Sequence, residues 1–408
     1  TRITLKKSLS LRNFRSSSRV IYSMTHLRFR KIYDESYFNT IFPIEDKMVG
    51  EDIEAGCRLA ALEMIRGGTT TFSEMYANPY SSMKAIAEAG LKMNVNRVGL
   101  CFDKDIDINS YVRYNEILDI VRLYKGEIDS CSEINEDLHV NKLPEDIAKA
   151  IKDDRIRVDF CIHSEYLTTS HFVKAIVEQN KKYNLPVNIH CAETQKEFDE
   201  CMEKYGLTPV QYFDSLGLFD CGKVYAAHCV YVTEDDLKIM KEKNVTIAHN
   251  PTSNMKLGSG MAPIAKAVQM GVNVAIGTDG CASNNNLDMF EEMHIAALLQ
   301  SGLYKDPTIL TASQIIDMAT INGAKALDRH DIGKLEVGYK ADIIALDLNQ
   351  PHLYPIIDVP SLIVYSAHGS DVCMTMVDGR ILYEDGKYYS LDYDKVIKEA
   401  EEAIKRLL

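Results

Sequence analysis

Apolar and polar positions follow two different periods along most of the chain. Residues 51–66 repeat apolar side chains at helical spacing and end at Gly67-Gly68, which predicts a helix. Short runs rich in β-branched residues then recur and predict strands over residues 69–72, 95–101, 155–163, 186–191, 224–230, 245–249 and 272–277. Stretches of helical periodicity separate these strands. One predicted helix ends near residues 85–90, and further helices are predicted over residues 143–153, 170–183, 233–243, 262–270 and 287–301.

This alternation of strand and helix predicts parallel strands joined by crossover helices. Seven such units in succession favour a (β/α)8 TIM-type barrel, and an open doubly wound α/β sheet is the second interpretation. After about residue 330 the pattern changes to short strands with polar turns, over residues 342–347, 372–377 and 380–383. We expect a small β layer outside the barrel, followed by an amphipathic helix over residues 394–408.

Composition narrows the class of function. The chain has 408 residues, of which 26% are charged, and its formal net charge of −13 argues against a nucleic-acid partner. No run of about 18 apolar residues occurs, so we expect no membrane partner. The ten cysteines are scattered without a CxxC pair, which is typical of reduced thiols in a cytoplasmic protein. We expect a small-molecule substrate, and a homo-oligomer stays open.

The first 40 residues differ from the rest of the chain. Residues 1–33 hold nine Lys or Arg and no Asp or Glu. An arginine- and serine-rich start resembles an organellar transit peptide, while a fragment, a sequence artefact or a frameshift would give the same pattern. We treat residues 1–40 as an atypical basic segment, in which the amino terminus is altered or truncated.

Side chains that bind metals or move protons recur where the predicted strands end. They are His163, His190, His228, His249 and Asp279. In a parallel barrel these ends form one rim, where active sites lie. Imidazole and carboxylate suit Zn²⁺, which lowers the pKa of bound water to about 7. Glu193 follows His190 by three residues and can reach the same site as a general acid or base.

Four blocks of sequence carry a family resemblance. They are His-Cys-Ala-Glu-Thr at 190–194, Ala-His-Cys at 227–229, HNPTSNMKLGSGMAPI at 249–264 and GTDGCASNN at 277–285. Together they resemble the amidohydrolase superfamily, within it the 5-methylthioadenosine/S-adenosylhomocysteine deaminases, near the triazine hydrolases and guanine deaminases. The resemblance runs from about residue 41 to the end of the chain.

The resemblance implies a (β/α)8 barrel with a small β-sandwich accessory domain built from both chain ends. The barrel would span residues 41–330, the sandwich part 331–390 and a C-terminal helix 391–408. It also implies one divalent metal, of which Zn²⁺ is the first choice. The activity implied is hydrolytic deamination of S-adenosylhomocysteine, 5′-methylthioadenosine or adenosine to the inosine analogues and ammonia, by a hydrolase acting on carbon–nitrogen bonds.

Motif positions imply individual roles. His190 and Asp279 would bind the metal, and Asp279 would also take a proton from bound water. Glu193 would move protons to the purine ring, and His228 would orient the hydroxide or polarise the reacting carbon. The residues implied to bind substrate are Glu45, Arg155, His163, Glu193 and Ser283, with Glu45 on the ribose hydroxyls.

One part of the family pattern is missing. The pattern opens with a metal-binding His-x-His pair at the end of the first barrel strand, and this sequence contains none; His26 is the only histidine before residue 139. We therefore expect the amino-terminal part of the fold to be incomplete. Two alternatives stay open: hydrolysis of another N-heterocycle of the guanine or triazine type, and an inactive barrel that binds a nucleoside-like ligand.

Overall fold

Parallel strands form the body of the molecule in the computed structural model, which describes residues 47–76, 78–129 and 143–407. The barrel strands are β1 (Thr71–Tyr76), β2 (Lys92–Arg97), β3 (Ile156–Val158), β4 (Phe160–Ile162), β5 (Val187–Cys191), β6 (Val224–His228), β7 (Thr246–His249) and β8 (Asn273–Ile276). They form two parallel sheets, β1-β2-β3 and β4-β5-β6-β7-β8. Asp159 alone separates β3 from β4, so one continuous segment carries the chain from the first sheet to the second.

Helices connect the strands and cover them. Those of the barrel region are α1 (Gly50–Arg66), α2 (Pro79–Ala89), α3 (Val112–Tyr124), α4 (Glu145–Lys152), α5 (Ser170–Tyr183), α6 (Gln195–Tyr205), α7 (Pro209–Ser215), α8 (Glu234–Glu242), α9 (Pro251–Lys256), α10 (Ile264–Gln269), α11 (Cys281–Asn284), α12 (Met289–Tyr304), α13 (Ala312–Ala319) and α14 (Ile321–Ala326). None of the helices in the described ranges is long and apolar enough to cross a membrane.

The strand order decides between the two folds that the sequence allowed. Neighbouring strands follow one another in chain order without a reversal, as in a barrel, whereas a doubly wound sheet reverses its order at a switch point. The prediction of a TIM-type barrel is therefore confirmed. The described residues supply seven of its strand positions, if β3 and β4 are counted as one.

The accessory layer is a four-stranded antiparallel sheet in the order β12-β11-β10-β9. Its strands are β9 (Ile343–Leu346), β10 (Val372–Val377), β11 (Arg380–Glu384) and β12 (Lys387–Tyr388), and two further helices are α15 (Val359–Tyr365) and α16 (Tyr393–Leu407). The Thr375 hydroxyl of β10 donates a 2.7 Å hydrogen bond to the Ile65 carbonyl of α1, which ties this sheet to the barrel helices. The second layer of a sandwich is not among the described residues, and the domain boundaries stay predictions.

The end of β2 differs from the expectation. Apolar periodicity predicted a strand over residues 95–101, but β2 ends at Arg97 and the chain then bends towards β4. A Cβ at Gly99 would lie 2.3 Å from the Cys161 carbonyl oxygen, so only glycine allows this close approach. The apolar residues after Arg97 therefore belong to a loop at the carboxyl end of the barrel.

Candidate active site

Three histidines from neighbouring strand ends lie against one another at the carboxyl end of the barrel. The rings of His163 and His190 stack with centroids 4.6 Å apart and planes inclined by 10°. The His228 ring lies 5.2 Å from that of His190. The His190 amide donates a 2.7 Å hydrogen bond to the His163 carbonyl, which fixes the two strand ends in register. The convergence expected from the sequence is present in the structure for these residues.

His228 is held by groups on both sides of its ring. Its Nδ1 lies 2.8 Å from Oδ1 of Asn254, which is an acceptor, so the ring donates Nδ1–H to that oxygen. Nε2 lies 3.8 Å from Oε2 of Glu193. Burial lowers the pKa of His228, but the carboxylates of Glu193 and Asp279 outweigh it and raise the pKa above its usual value.

The other two rings of the stack are held neutral. Burial is the main cause that lowers the pKa of His163 well below its usual value, and the neighbouring His190 and His228 add to it. Burial and His228 also lower the pKa of His190. A neutral imidazole has a free electron pair for a metal or a substrate hydrogen. Nδ1 of His190 is buried with no hydrogen-bond partner in the described part of the chain.

Glu193 lies in the turn between β5 and α6. Thr194 caps α6 by accepting a hydrogen bond from the Glu197 amide at 3.1 Å, and the helix begins directly after the turn. The Ser259 hydroxyl donates to Oε1 of Glu193 at 3.3 Å. The Glu193 side chain is 16% exposed, so it faces His228 and also reaches solvent.

Asp279 follows β8 and is held by two donors. The Ser253 hydroxyl donates to Oδ2 at 2.6 Å, and the Gly280 amide donates to Oδ1 at 2.6 Å. Ser253 and Asn254 are neighbours on α9, so this one short helix orients both Asp279 and His228. Ser253 and Asn254 belong to the sequence block 249–264 that carries the family resemblance, but the sequence assigned neither residue a role.

Backbone strain concentrates at the same strand ends. Ala192, His228, Cys229 and Asp279 all have positive φ, between 48° and 72°. Residues with a Cβ rarely adopt this conformation, and such strain clusters at functional sites because the fold must hold it in place. The strained positions redirect the chain directly after β5, β6 and β8.

His249 ends β7 and has neither ring nitrogen bonded to another described residue, although its side chain is buried. Burial and the neighbouring His228 lower its pKa to about 3. It belongs to the rim of polar strand ends that the sequence predicted.

The remaining predicted site residues fall in different places. Ser283 lies on α11, four residues after Asp279, and so at the same end of the barrel. Glu45 lies outside the described residues. Arg155 precedes β3, and its guanidinium lies 3.4 Å from the Ala87 carbonyl at the end of α2. That is the amino end of the strand, across the barrel from His163, so the expectation that Arg155 contacts substrate is corrected.

Arg97 is a residue that the sequence reasoning missed. It ends β2 at the carboxyl end of the barrel, but its buried side chain faces the helix layer, where it pairs with Glu116 of α3 at 2.7 Å. Its Nη1 has no partner among the described residues. The signal was present, since Arg97 is a charged residue at a strand end, but the strand had been extended to residue 101.

A divalent metal matches the donor types of this rim but only part of the usual donor number. Among residues 47–76, 78–129 and 143–407, no three His, Cys, Asp or Glu side chains are grouped closely enough to hold a metal ion. His190 and Asp279 are suitable donors, and catalytic zinc generally has three protein ligands. The described residues therefore supply two of the ligands that such an ion needs.

Comparison with known proteins places the chain among hydrolases. The amidohydrolase family model matches residues 24–382. The chain is 42% identical over 365 residues to the 5-methylthioadenosine/S-adenosylhomocysteine deaminase of Desulfitobacterium hafniense, covering 90% of this chain and 78% of the relative. It is 40% identical over 368 residues to the 5′-deoxyadenosine deaminase of Methanosarcina mazei, covering 90% and 79%.

The fold comparison agrees. A crystal structure of an adenosine deaminase from Xanthomonas campestris with bound zinc superposes with a TM-score of 0.82 at 27% identity, covering 96% of this chain and 83% of that one. The resemblance inferred from the four sequence blocks is therefore confirmed. The chain belongs to the amidohydrolase family and is a hydrolase acting on carbon–nitrogen bonds.

Proposed function

We propose that this chain deaminates adenosine derivatives hydrolytically, taking S-adenosylhomocysteine, 5′-methylthioadenosine or adenosine to the inosine analogue and ammonia. The observation that carries the proposal is the convergence of His190, His228, Glu193 and Asp279 at one end of the barrel. The names of the relatives support the nucleoside class of substrate.

His190 and Asp279 would hold a divalent metal, with Zn²⁺ as the first choice for imidazole and carboxylate donors. The ion, when bound, supplies hydroxide at neutral pH by lowering the pKa of its water. The missing His-x-His pair leaves the remaining ligands unassigned in this sequence.

The protein groups supply the proton transfers. Addition of hydroxide at C6 and loss of ammonia require one proton on the ring nitrogen and one on the leaving amine. Asp279 takes the proton of the attacking water, with its carboxylate held by Ser253 and Gly280. Glu193 delivers a proton to the ring, and His228, oriented by Asn254, stabilises the charge that develops at the reacting carbon.

Substrate contacts surround this centre. His163 presents a neutral ring beside His190, and Ser283 lies beside the loop of Asp279. Glu45 is the acceptor for the ribose hydroxyls. The amino-acid carboxylate of S-adenosylhomocysteine needs a cation, and the proposal assigns that role to none of the described residues.

A deaminase panel on the purified chain tests the proposal. Ammonia release is measured from the three nucleosides, adenine, guanine and a chlorotriazine, each with added Zn²⁺, Mn²⁺ or Fe²⁺, together with the metal content of the protein. Release from the nucleosides alone supports the proposal. Release from guanine or triazine alone favours the other N-heterocycle reading, and tight nucleoside binding without ammonia favours the ligand-binding barrel.

The ribose contact has its own test. Glu45→Gln should raise KM for nucleosides far more than KM for a free base, because only the nucleoside has ribose hydroxyls to lose an acceptor. Equal effects on both substrates would remove Glu45 from the site.

A further inference from the structure

A buried carboxylate organises the turn that carries Glu193. Glu197 of α6 accepts hydrogen bonds from the backbone amides of Ala192 at 2.6 Å, Glu193 at 2.7 Å and Thr194 at 3.4 Å. The longest of the three is the ordinary capping-box contact at a helix start. The two shorter bonds reach back beyond the helix, to Glu193 itself and to Ala192, whose φ is 52°.

A second carboxyl group lies against this one. Glu165, in the loop after β4, is 2% exposed, and its carboxyl group lies within hydrogen-bonding reach of that of Glu197. Its Oε2 is buried with no donor from the described residues. Since no donor among the described residues stabilises an anion on this oxygen, the carboxyl group of Glu165 suits the protonated state, in which it donates to Glu197.

The electrostatic energy of the Glu165–Glu197 pair also favours one shared proton. Two carboxylates in contact inside a protein cannot both be ionised without a large penalty, so one of them retains its proton. Burial, and then the charge of Glu197, raise the pKa of Glu165 to about 10. Glu197 is the better anion because three amides point at it. Capping of α6 needs Thr194 and Glu197 but not Glu165, so the second buried carboxyl group calls for a reason beyond capping.

The pair connects two strand ends of the site. Glu165 is two residues beyond His163, and Glu197 accepts hydrogen bonds from the turn that follows His190. The groups around the pair that carry charge or titrate are Glu193, His228, Tyr166, Cys191, Cys201, Lys204 and Tyr212.

We propose that Glu165 is a positioning residue which donates a hydrogen bond to Glu197 and thereby fixes the turn that holds Glu193 beside His228. The catalytic consequence rests on the proposed function, because it matters only if Glu193 transfers protons. The structural consequence does not: loss of the donor loosens the amides of residues 192–194.

Two variants of Glu165 separate donation from packing. Glu165→Gln keeps a hydrogen-bond donor at nearly the same shape, and should keep kcat within about 3-fold of the parent. Glu165→Leu fills the space without a donor. It should lower kcat by about 10-fold to 100-fold with KM nearly unchanged, the range observed when partners that orient site residues are removed. If Glu165→Leu fails to fold, Glu165→Met serves as the second apolar variant.

A matched control is available on α8. Asp236 is likewise a buried capping carboxylate, which accepts hydrogen bonds from the Thr233 amide and hydroxyl at 2.8 Å. Asp236→Asn should lower thermal stability without changing kcat. A fall in kcat equal to that of Glu165→Leu would mean that any damaged helix start has this effect, and would overturn the proposal.

Amide hydrogen exchange decides the structural step without substrate. Exchange of residues 192–194 should become faster in Glu165→Leu, and should stay at the parent rate in Glu165→Gln and Asp236→Asn. If the parent releases no ammonia from any nucleoside, the proposed function fails while this exchange pattern still tests the pair. Unchanged exchange in Glu165→Leu overturns the positioning role, whether or not the parent is active.

Discussion

The two ends of the barrel bury polar groups in opposite ways. At the amino end Lys92 is fully buried, and its Nζ lies 2.6 Å from carboxylate oxygens of both Asp342 and Asp378. Arg329, 1% exposed, donates hydrogen bonds to Asn94 and to the backbone carbonyls of Met93 and Asp154. The charged groups of both buried cations are therefore paired with acceptors.

The carboxyl end leaves buried polar atoms without partners. His190 Nδ1, both ring nitrogens of His249, and Nδ2 of Asn254 have no hydrogen-bond partner in the described residues. The positive φ values of His228 and Asp279 lie here as well. Unsatisfied buried groups cost stability, so a fold retains them where a ligand or reaction uses them.

This difference indicates that the amino end of the barrel serves stability and that the carboxyl end serves chemistry. Polar residues of the amino end tie the barrel to the accessory sheet and to the chain segment after α14. At the carboxyl end, His190, His249 and Asn254 have polar atoms without a partner among the described residues. Variants at the two ends should therefore change different measured quantities.

The largest expected effect is on catalysis, from Asp279→Asn. It removes the group that takes the proton of the attacking water and should lower kcat about 10²-fold to 10⁴-fold. Thermal unfolding should change little, because the amide oxygen can still accept from the Gly280 amide while its NH2 group donates to the Ser253 hydroxyl oxygen. Steady-state kinetics and a melting curve check this; near-parental kcat would make Asp279 a structural residue.

Lys92→Met tests the opposite end. It leaves Asp342, which is 3% exposed, without its cation, and breaking a buried pair costs about 3–5 kcal/mol in the free energy of unfolding. The kcat of the folded protein should be unchanged. Lys238→Met is the matched control, since its pair with Asp235 is exposed and should contribute far less to stability. Equal losses from the two variants would contradict the comparison.

Asn254→Ala should have a smaller effect on catalysis. Without the Oδ1 acceptor His228 loses the hydrogen bond that fixes its Nδ1 proton, and kcat should fall about 10-fold to 100-fold. Asn254→Asp keeps an acceptor oxygen at the same place and should lose less. A larger loss in the aspartate variant than in the alanine variant would argue against this role.

The smallest expected effect is the pH dependence of Asp154 at the amino end. Burial raises its pKa, but hydrogen bonds from Arg157 and Lys340 and their charges outweigh burial and hold the pKa well below its usual value. A lowered carboxyl pKa stabilises the fold above the unfolded-state pKa of about 4, and that stability is lost as pH falls below it.

Asp154→Asn should therefore be less stable than the parent at pH 7, by about 1 kcal/mol at most for a partly exposed ion pair. Unfolding by urea at several pH values measures the gap, which should narrow as the pH is lowered below about 4. A gap that is constant with pH would show that Asp154 acts through packing alone.

Local patterns in the sequence predicted most of the barrel and most of the candidate site residues. Period-2 and period-3.6 stretches predicted the barrel, because each strand and helix buries one face whatever its neighbours are. His163, His190, His228 and Asp279 were recognised because carboxyl ends of parallel strands converge. Arg155 shows the limit of this reasoning, since a one-dimensional pattern did not reveal that it stands at the other end of its strand.

Other features were decided only by tertiary structure. Three contacts join residues from separate loops or strands: the stacking of His163 on His190, the contact between the carboxyl groups of Glu165 and Glu197, and the Lys92–Asp342 ion pair. The residues of the ion pair lie 250 positions apart in the sequence. Periodicity records which face of an element is buried, but not what lies opposite that face. Which buried charge finds a partner, and which is left for a ligand, depends on contacts that form when the barrel packs.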